Sequence, residues 1–212
     1  KKMTFCLITN VFSLLIHGNG PHVLFSSGLY GTMPHEMYSN FLKPLKKNNS
    51  VILSQSFRPV IKEDVEKFCF ENNINELKYV AHSSFDHRIL SMDICKQAYL
   101  IDPISLPTNI LNNRIVRTKI PINIVKCKYS YLNWNEKPFI LPGFETHFYG
   151  NNINVYIIES GHVDILNDEW SYIGNVLGID SVTKFLDINE NYNYESSLIK
   201  KNIRENILDI LN

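Results

Sequence analysis

The sequence predicts an α/β fold, a mostly parallel central sheet flanked by helices and entered through an N-terminal hairpin, and three observations carry that prediction. Short apolar runs rich in β-branched residues recur, with helical or loop segments between them, which is the pattern of alternating strand and helix. A serine, Ser83, follows one such run and precedes a segment of helical composition, with the small residue Ala81 two positions before it. Asp102 and His162 each follow a later strand-like run. At 212 residues, 44% of them apolar or aromatic, the chain can bury one good core and is short for two, so a single domain over 1–212 is expected.

The elements follow in order. Residues 3–9 and 11–17 read as two strands of a hairpin by their β-branched and aromatic content. Lys1-Lys2-Met3 ahead of an apolar stretch imitates a signal peptide, but Asn10 and Ser13 interrupt the stretch and no small-x-small cleavage site follows. Strands are expected at 22–25, 50–54, 77–80, 98–101, 120–126 and 153–158. A helix is expected over 34–47, where Met37, Phe41, Leu42 and Leu45 have the three-four spacing, with Pro44 ending or kinking it. Ile61, Val65, Phe68 and Cys69 predict another over 60–72. Only nineteen residues separate Ser83 from Asp102, so the helix after Ser83 must be clipped to about two or three turns. The polar, irregular stretch 105–119 is expected to form a small lid or rim. The last helices are expected at 168–177 and 195–211, the second with a stripe of Leu198, Ile199, Ile203, Ile207 and Leu211 that reads as core. Paired asparagines at 48–49, 72–73, 112–113 and 151–152 mark turns.

Bulk chemistry narrows the function. Basic and acidic residues balance at 21 each, and no basic stripe is interleaved with aromatics, which disfavours nucleic acid as a partner. Cys6, Cys69, Cys95 and Cys127 lie far apart without CxxC spacing and read as buried free thiols of a reducing compartment, so a cytoplasmic location is expected. The histidines lack ligand spacing, His82 and His87 being five apart, so no metal is expected. No run reaches the roughly 20 apolar residues of a transmembrane span. Oligomeric state is not legible.

The chemistry lies in the order Ser83, Asp102, His162, which is that of an α/β-hydrolase. A serine hydroxyl is a poor nucleophile until an imidazole takes its proton, and the imidazole needs a carboxylate to fix its tautomer. Loops after parallel strands bring such residues to the carboxyl edge of the sheet. Two backbone N–H groups must then meet the developing oxyanion. Ser84 supplies one, and the glycine-bearing loop Ser26-Ser27-Gly28-Leu29-Tyr30-Gly31 supplies the other, assigned to Leu29. Glu145, after a later apolar run, is the rival for the acid. Tyr30 and His82 are candidate substrate-binding residues, with Met33 and the stretch 129–134 as further pocket lining. His147 is expected to order its loop.

Five local matches in the same order make the chain resemble the chlorophyllase-type branch of the α/β-hydrolases, over about residues 21–168. Val23-Leu24-Phe25-Ser26-Ser27-Gly28 is similar to that family's strand and His-Gly loop, with Ser27 in the histidine's place, and Tyr38-Ser39-Asn40-Phe41-Leu42 is similar to the helix that follows. Ala81-His82-Ser83-Ser84-Phe85 is similar to its Gly-His-Ser-x-Gly, with Phe85 where a small residue usually stands. Asp102-Pro103-Ile104 is similar to its Asp-Pro-Val, and Gly161-His162-Val163-Asp164-Ile165-Leu166-Asn167-Asp168 to its Gly-His-x-Asp-Met-Leu-Asp-Asp. The resemblance implies a cofactor-free serine esterase, lipase-like, with a small-molecule ester or lipid as substrate, His162 as base and Asp102 as acid. Asp164 is expected to brace the histidine loop. The alternative is an inactive homologue kept for binding or assembly, which Phe85 and Ser27 favour.

Overall fold

The computed structural model describes residues 14–55, 57–104, 114–128, 146–170 and 194–211. Its strands in chain order are β1 (Leu14–His17), β2 (His22–Ser26), β3 (Ser50–Ser54), β4 (Leu77–His82), β5 (Cys95–Ile101), β6 (Arg114–Arg117), β7 (Ile122–Cys127), β8 (Thr146–Tyr149) and β9 (Ile153–Ile158). Seven of these form one sheet in the order β1-β3-β2-β4-β5-β7-β9, parallel throughout except for β1, which pairs antiparallel with β3. β6 and β8 form a separate parallel pair.

The sheet is parallel because its central strands are apolar on both faces and each must be covered twice. On one face Val23, Phe25, Val51, Leu53, Val80 and Ile101 meet α1 (Ser39–Asn48) and the C-terminal helix. On the other Leu24, Ile52, Tyr79, Leu100 and Ile124 meet α2 (Lys62–Glu71), the short 3-10 turn His87–Ser91 and Val116 of β6. The C-terminal helix, α3 (Tyr194–Leu211), turns Ile203, Ile207 and Leu211 into the first layer, as its stripe predicts. Each fully buried side chain of this kind stabilises the fold by roughly 1.5–3 kcal/mol. β1 has only Leu14 buried and lies at the sheet's margin.

Several elements differ from expectation. Pro44 does not stop α1, which runs on to Asn48. The ring is exposed and the helix forgoes one backbone bond, to the carbonyl four residues back. The segment after Ser83 contains only the 3-10 turn His87–Ser91, less than the two or three helical turns expected. In the stretch expected to be irregular, Arg114–Arg117 is a strand. Residues 1–13 of the expected hairpin, 105–113 of the expected lid and most of 168–177 lie outside the described residues. Among the described residues Cys69, Cys95 and Cys127 are buried free thiols, and burial pushes Cys69 up to about 11 and Cys95 up to about 12. No described helix is long and apolar enough to cross a membrane.

Candidate active site

β4 ends at His82, and the chain reverses at Ser83 in a left-handed conformation, φ 64°. A serine held there costs about 1–3 kcal/mol of backbone strain and persists only where its surroundings enforce it. The enforcement comes from the end of β5. Ser83 N–H donates to the Ile101 carbonyl at 3.0 Å, and Ile104 N–H donates to the Ser83 carbonyl at 3.2 Å. β4 therefore ends in a sharp left-handed turn at the serine that the sequence points to, with that residue buried.

Asp102 follows β5 directly, also at positive φ (43°), with its N–H donating to the Val125 carbonyl at 2.7 Å. Its carboxylate is fully buried. Oδ1 accepts from the Cys127 N–H at 3.2 Å, and Oδ2 lies 2.6 Å from His162 Nδ1. A carboxylate only accepts, so Nδ1 carries a proton, which is the tautomer that puts the neutral ring's lone pair on Nε2. Glu145 lies outside the described residues, as does the stretch 129–134, and it is Asp102 that meets the imidazole.

His162 sits on the loop after β9, which three side chains hold in place. Asp164, buried, accepts from the Gly161 N–H at 2.7 Å. Asn167 accepts from the Asn40 N–H at 2.9 Å in the first turn of α1 and donates to the Glu36 carbonyl and to Ser39 Oγ, both at 2.8 Å. It thereby satisfies a free helix N–H from a loop far along the chain. Arg204 of α3 donates to the Leu166 carbonyl at 2.8 Å and to Asp168 at 2.9 Å. Ser83 Oγ and His162 Nε2 make no hydrogen bond among the described residues.

The loop after β2 closes over the elbow. Tyr30 N–H donates to the Ser84 carbonyl at 2.9 Å, and Val60 N–H to the Tyr30 carbonyl at 2.6 Å. Leu29 and Tyr30 both have positive φ, 54° and 60°. Gly28 N–H donates to the Tyr38 hydroxyl at 2.9 Å, and a Cβ on Gly28 would fall 2.6 Å from Met33 Sδ and 3.3 Å from the Tyr38 oxygen, so a larger residue there would have to displace the Met33 side chain. The amides of Leu29 and Ser84 have no acceptor among the described residues. Ser27 donates to the Met33 carbonyl at 2.6 Å, inside its own loop.

His82, expected to touch substrate, has both ring nitrogens engaged by the protein: Nδ1 with the Tyr38 hydroxyl at 2.8 Å and Nε2 with the His162 carbonyl at 2.9 Å. Burial, reinforced by the neighbouring His162, pushes it down to about 3, so it is neutral. Phe85 packs into the core layer under α2, edge-on to Tyr79 at 6.1 Å and stacked on Phe148 of β8 at 6.5 Å. Tyr38, Asn167 and Arg204 were not singled out from the sequence; all three act through contacts distant along the chain, which local spacing does not encode. Among the described residues no group of three or more His, Cys, Asp or Glu is placed to hold a metal ion.

A mostly parallel sheet with helices on both faces and a serine elbow at the end of β4 is the α/β-hydrolase fold. No family model matches the chain, and no curated protein matches it. Among solved structures the chain is similar to the enol-lactonase from Burkholderia xenovorans LB400, at 12% identity and a TM-score of 0.49, over 78% of this chain and 94% of that one. It is similar to a hydrolase from Pseudomonas aeruginosa PA01 at 11% identity and a TM-score of 0.49, over 78% and 92% of the two chains. It is also similar to an esterase from a marine microorganism at 12% and 0.48, over 83% and 98%.

Proposed function

We propose that the chain is a serine hydrolase of carboxylic esters, acting through an acyl-enzyme, with Ser83 as nucleophile, His162 as base and Asp102 as the acid that orients it. The observation that carries the reading is the 2.6 Å contact between His162 Nδ1 and Asp102 Oδ2, made beside a serine held at φ 64°. His162 Nε2 takes the Ser83 proton as Oγ adds to the ester carbonyl. The Leu29 and Ser84 amides, which have no acceptor among the described residues, receive the oxyanion. Collapse of the adduct expels the alcohol, which takes its proton from His162. Water then adds to the acyl-enzyme by the same route and releases the acid.

No cofactor enters this scheme. The substrate is a small-molecule ester or lipid of the class handled by chlorophyllase-type enzymes, and Tyr30, next to Leu29 in the oxyanion loop, contacts it. A fluorophosphonate probe read by intact mass tests the assignment: one adduct on the wild type, none on Ser83→Ala. Wild-type protein that forms no adduct and hydrolyses no p-nitrophenyl ester overturns it. That result would favour the second reading, a homologue kept for binding or assembly, which Phe85 at the elbow and a Ser83 hydroxyl without a hydrogen bond among the described residues support.

A further inference from the structure

We propose that His82 is a positioning residue that ties the oxyanion loop and the base loop to the nucleophile strand, a role that rests on the serine-hydrolase reading. The directions of its hydrogen bonds are fixed by chemistry. The His162 carbonyl only accepts, so His82 Nε2 carries the proton and Nδ1 is the acceptor. The Tyr38 hydroxyl, 2.8 Å away, therefore donates to Nδ1, and its oxygen accepts the Gly28 N–H. One directed chain results, from Gly28 through Tyr38 and His82 to the backbone of His162.

Each end of that chain is next to a working part. Gly28 precedes Leu29, the assigned oxyanion donor; His82 precedes Ser83; and the accepting carbonyl belongs to the base itself. The two imidazoles also lie against each other, tilted, with centroids 4.6 Å apart and planes 32° apart, so the His82 ring limits how far His162 can turn. His82 and Tyr38 are both buried. A buried polar chain with every member partnered enforces a single geometry, whereas removing one member leaves the others unsatisfied. His82 thus serves the site from beneath, through its neighbours.

The test compares His82→Leu, His82→Gln and Tyr38→Phe on p-nitrophenyl acetate. His82→Leu is expected to lower kcat by about 10²-fold, the scale of a misplacement near 1 Å, with KM unchanged within about twofold. His82→Gln, whose amide can reach the His162 carbonyl, is expected to recover about tenfold of that loss. Tyr38→Phe is expected to cost about tenfold in kcat and to be non-additive with His82→Leu, as members of one network are. His82→Leu with wild-type kcat, a loss confined to KM, or no recovery by His82→Gln overturns the proposal. A second readout needs no turnover: the low-field proton resonance of His162 Nδ1–H on Asp102, expected to be preserved in His82→Gln and displaced or lost in His82→Leu. If the wild type proves inactive, the hydrolase reading falls, and an unchanged resonance in His82→Leu would sink the positioning role on its own.

Discussion

The two faces of the central sheet are put to different use. The face under α1 and α3 carries Tyr38, His82 and the His162 loop, and it is crossed by polar side chains that reach from one element to another. The face under α2 is mainly apolar close to the elbow, with Phe85 fitted between Tyr79 and Phe148 and only a 3-10 turn where a longer helix was expected, tied to the start of α2 by the Lys62 N–H bond to Asp86. One face fixes the geometry of the site with directed hydrogen bonds; the other supports the elbow by packing. Substitutions on the first should therefore alter rate more than stability, and substitutions on the second should do the reverse.

The largest effect is expected on the polar face. Asp102→Asn replaces an acceptor-only group, freeing His162 to adopt the wrong tautomer, and should lower kcat by about 10⁴-fold with the fold retained by circular dichroism. A loss below tenfold would break the division between the faces. Next, Phe85→Gly should destabilise by about 3–5 kcal/mol in urea unfolding, as large-to-small core changes do, without faster labelling at Ser83. Labelling at least about tenfold faster would instead mean that the ring strains the elbow.

A smaller, pH-dependent effect should come from His82. Its folded value of about 3 lies below the ordinary 6.5, so the unfolded chain binds an extra proton between those two values. The stability from keeping His82 neutral is fully present above about pH 6.5 and is lost as pH falls towards 3, at up to about 1.4 kcal/mol per pH unit. Urea midpoints measured from pH 7 to pH 4 should fall less steeply in His82→Gln; parallel slopes would contradict the assignment. The smallest effect is expected at Asn167→Ala, which removes a cap from α1 and should cost about 1 kcal/mol together with a several-fold drop in kcat. A stability loss without any change in kcat would separate the cap from the site.

Much of the fold is legible in the sequence. The strands at Ser50–Ser54 and Ile153–Ile158 have the expected limits, β2, β4 and β5 extend their expected runs by one to three residues, and β7 begins two residues later and ends one later than expected, since a buried parallel strand is written as a continuous apolar run. Chain order leaves Asp102 and Glu145 both open as partners of His162; the loops after β5 and β9, two strands apart in the parallel sheet, bring Asp102 to the imidazole at one edge. The short turn after the elbow was less legible: nineteen residues bounded its length without saying how it would fold. β6 and β8 are short, and their pairing lies far apart in the chain. The Tyr38–His82 bond spans 44 positions and the bond from Asn40 to Asn167 spans 127. Such contacts leave no periodicity to read.

The bond from His82 to the His162 carbonyl, which joins residues 80 positions apart, bears on how the protein folds. Loop closure on that scale comes late, after the entropy of many intervening residues has been given up. In a refolding experiment secondary structure should therefore return before reactivity at Ser83. A fluorophosphonate pulse during refolding would then report the final step of assembly rather than the formation of the sheet.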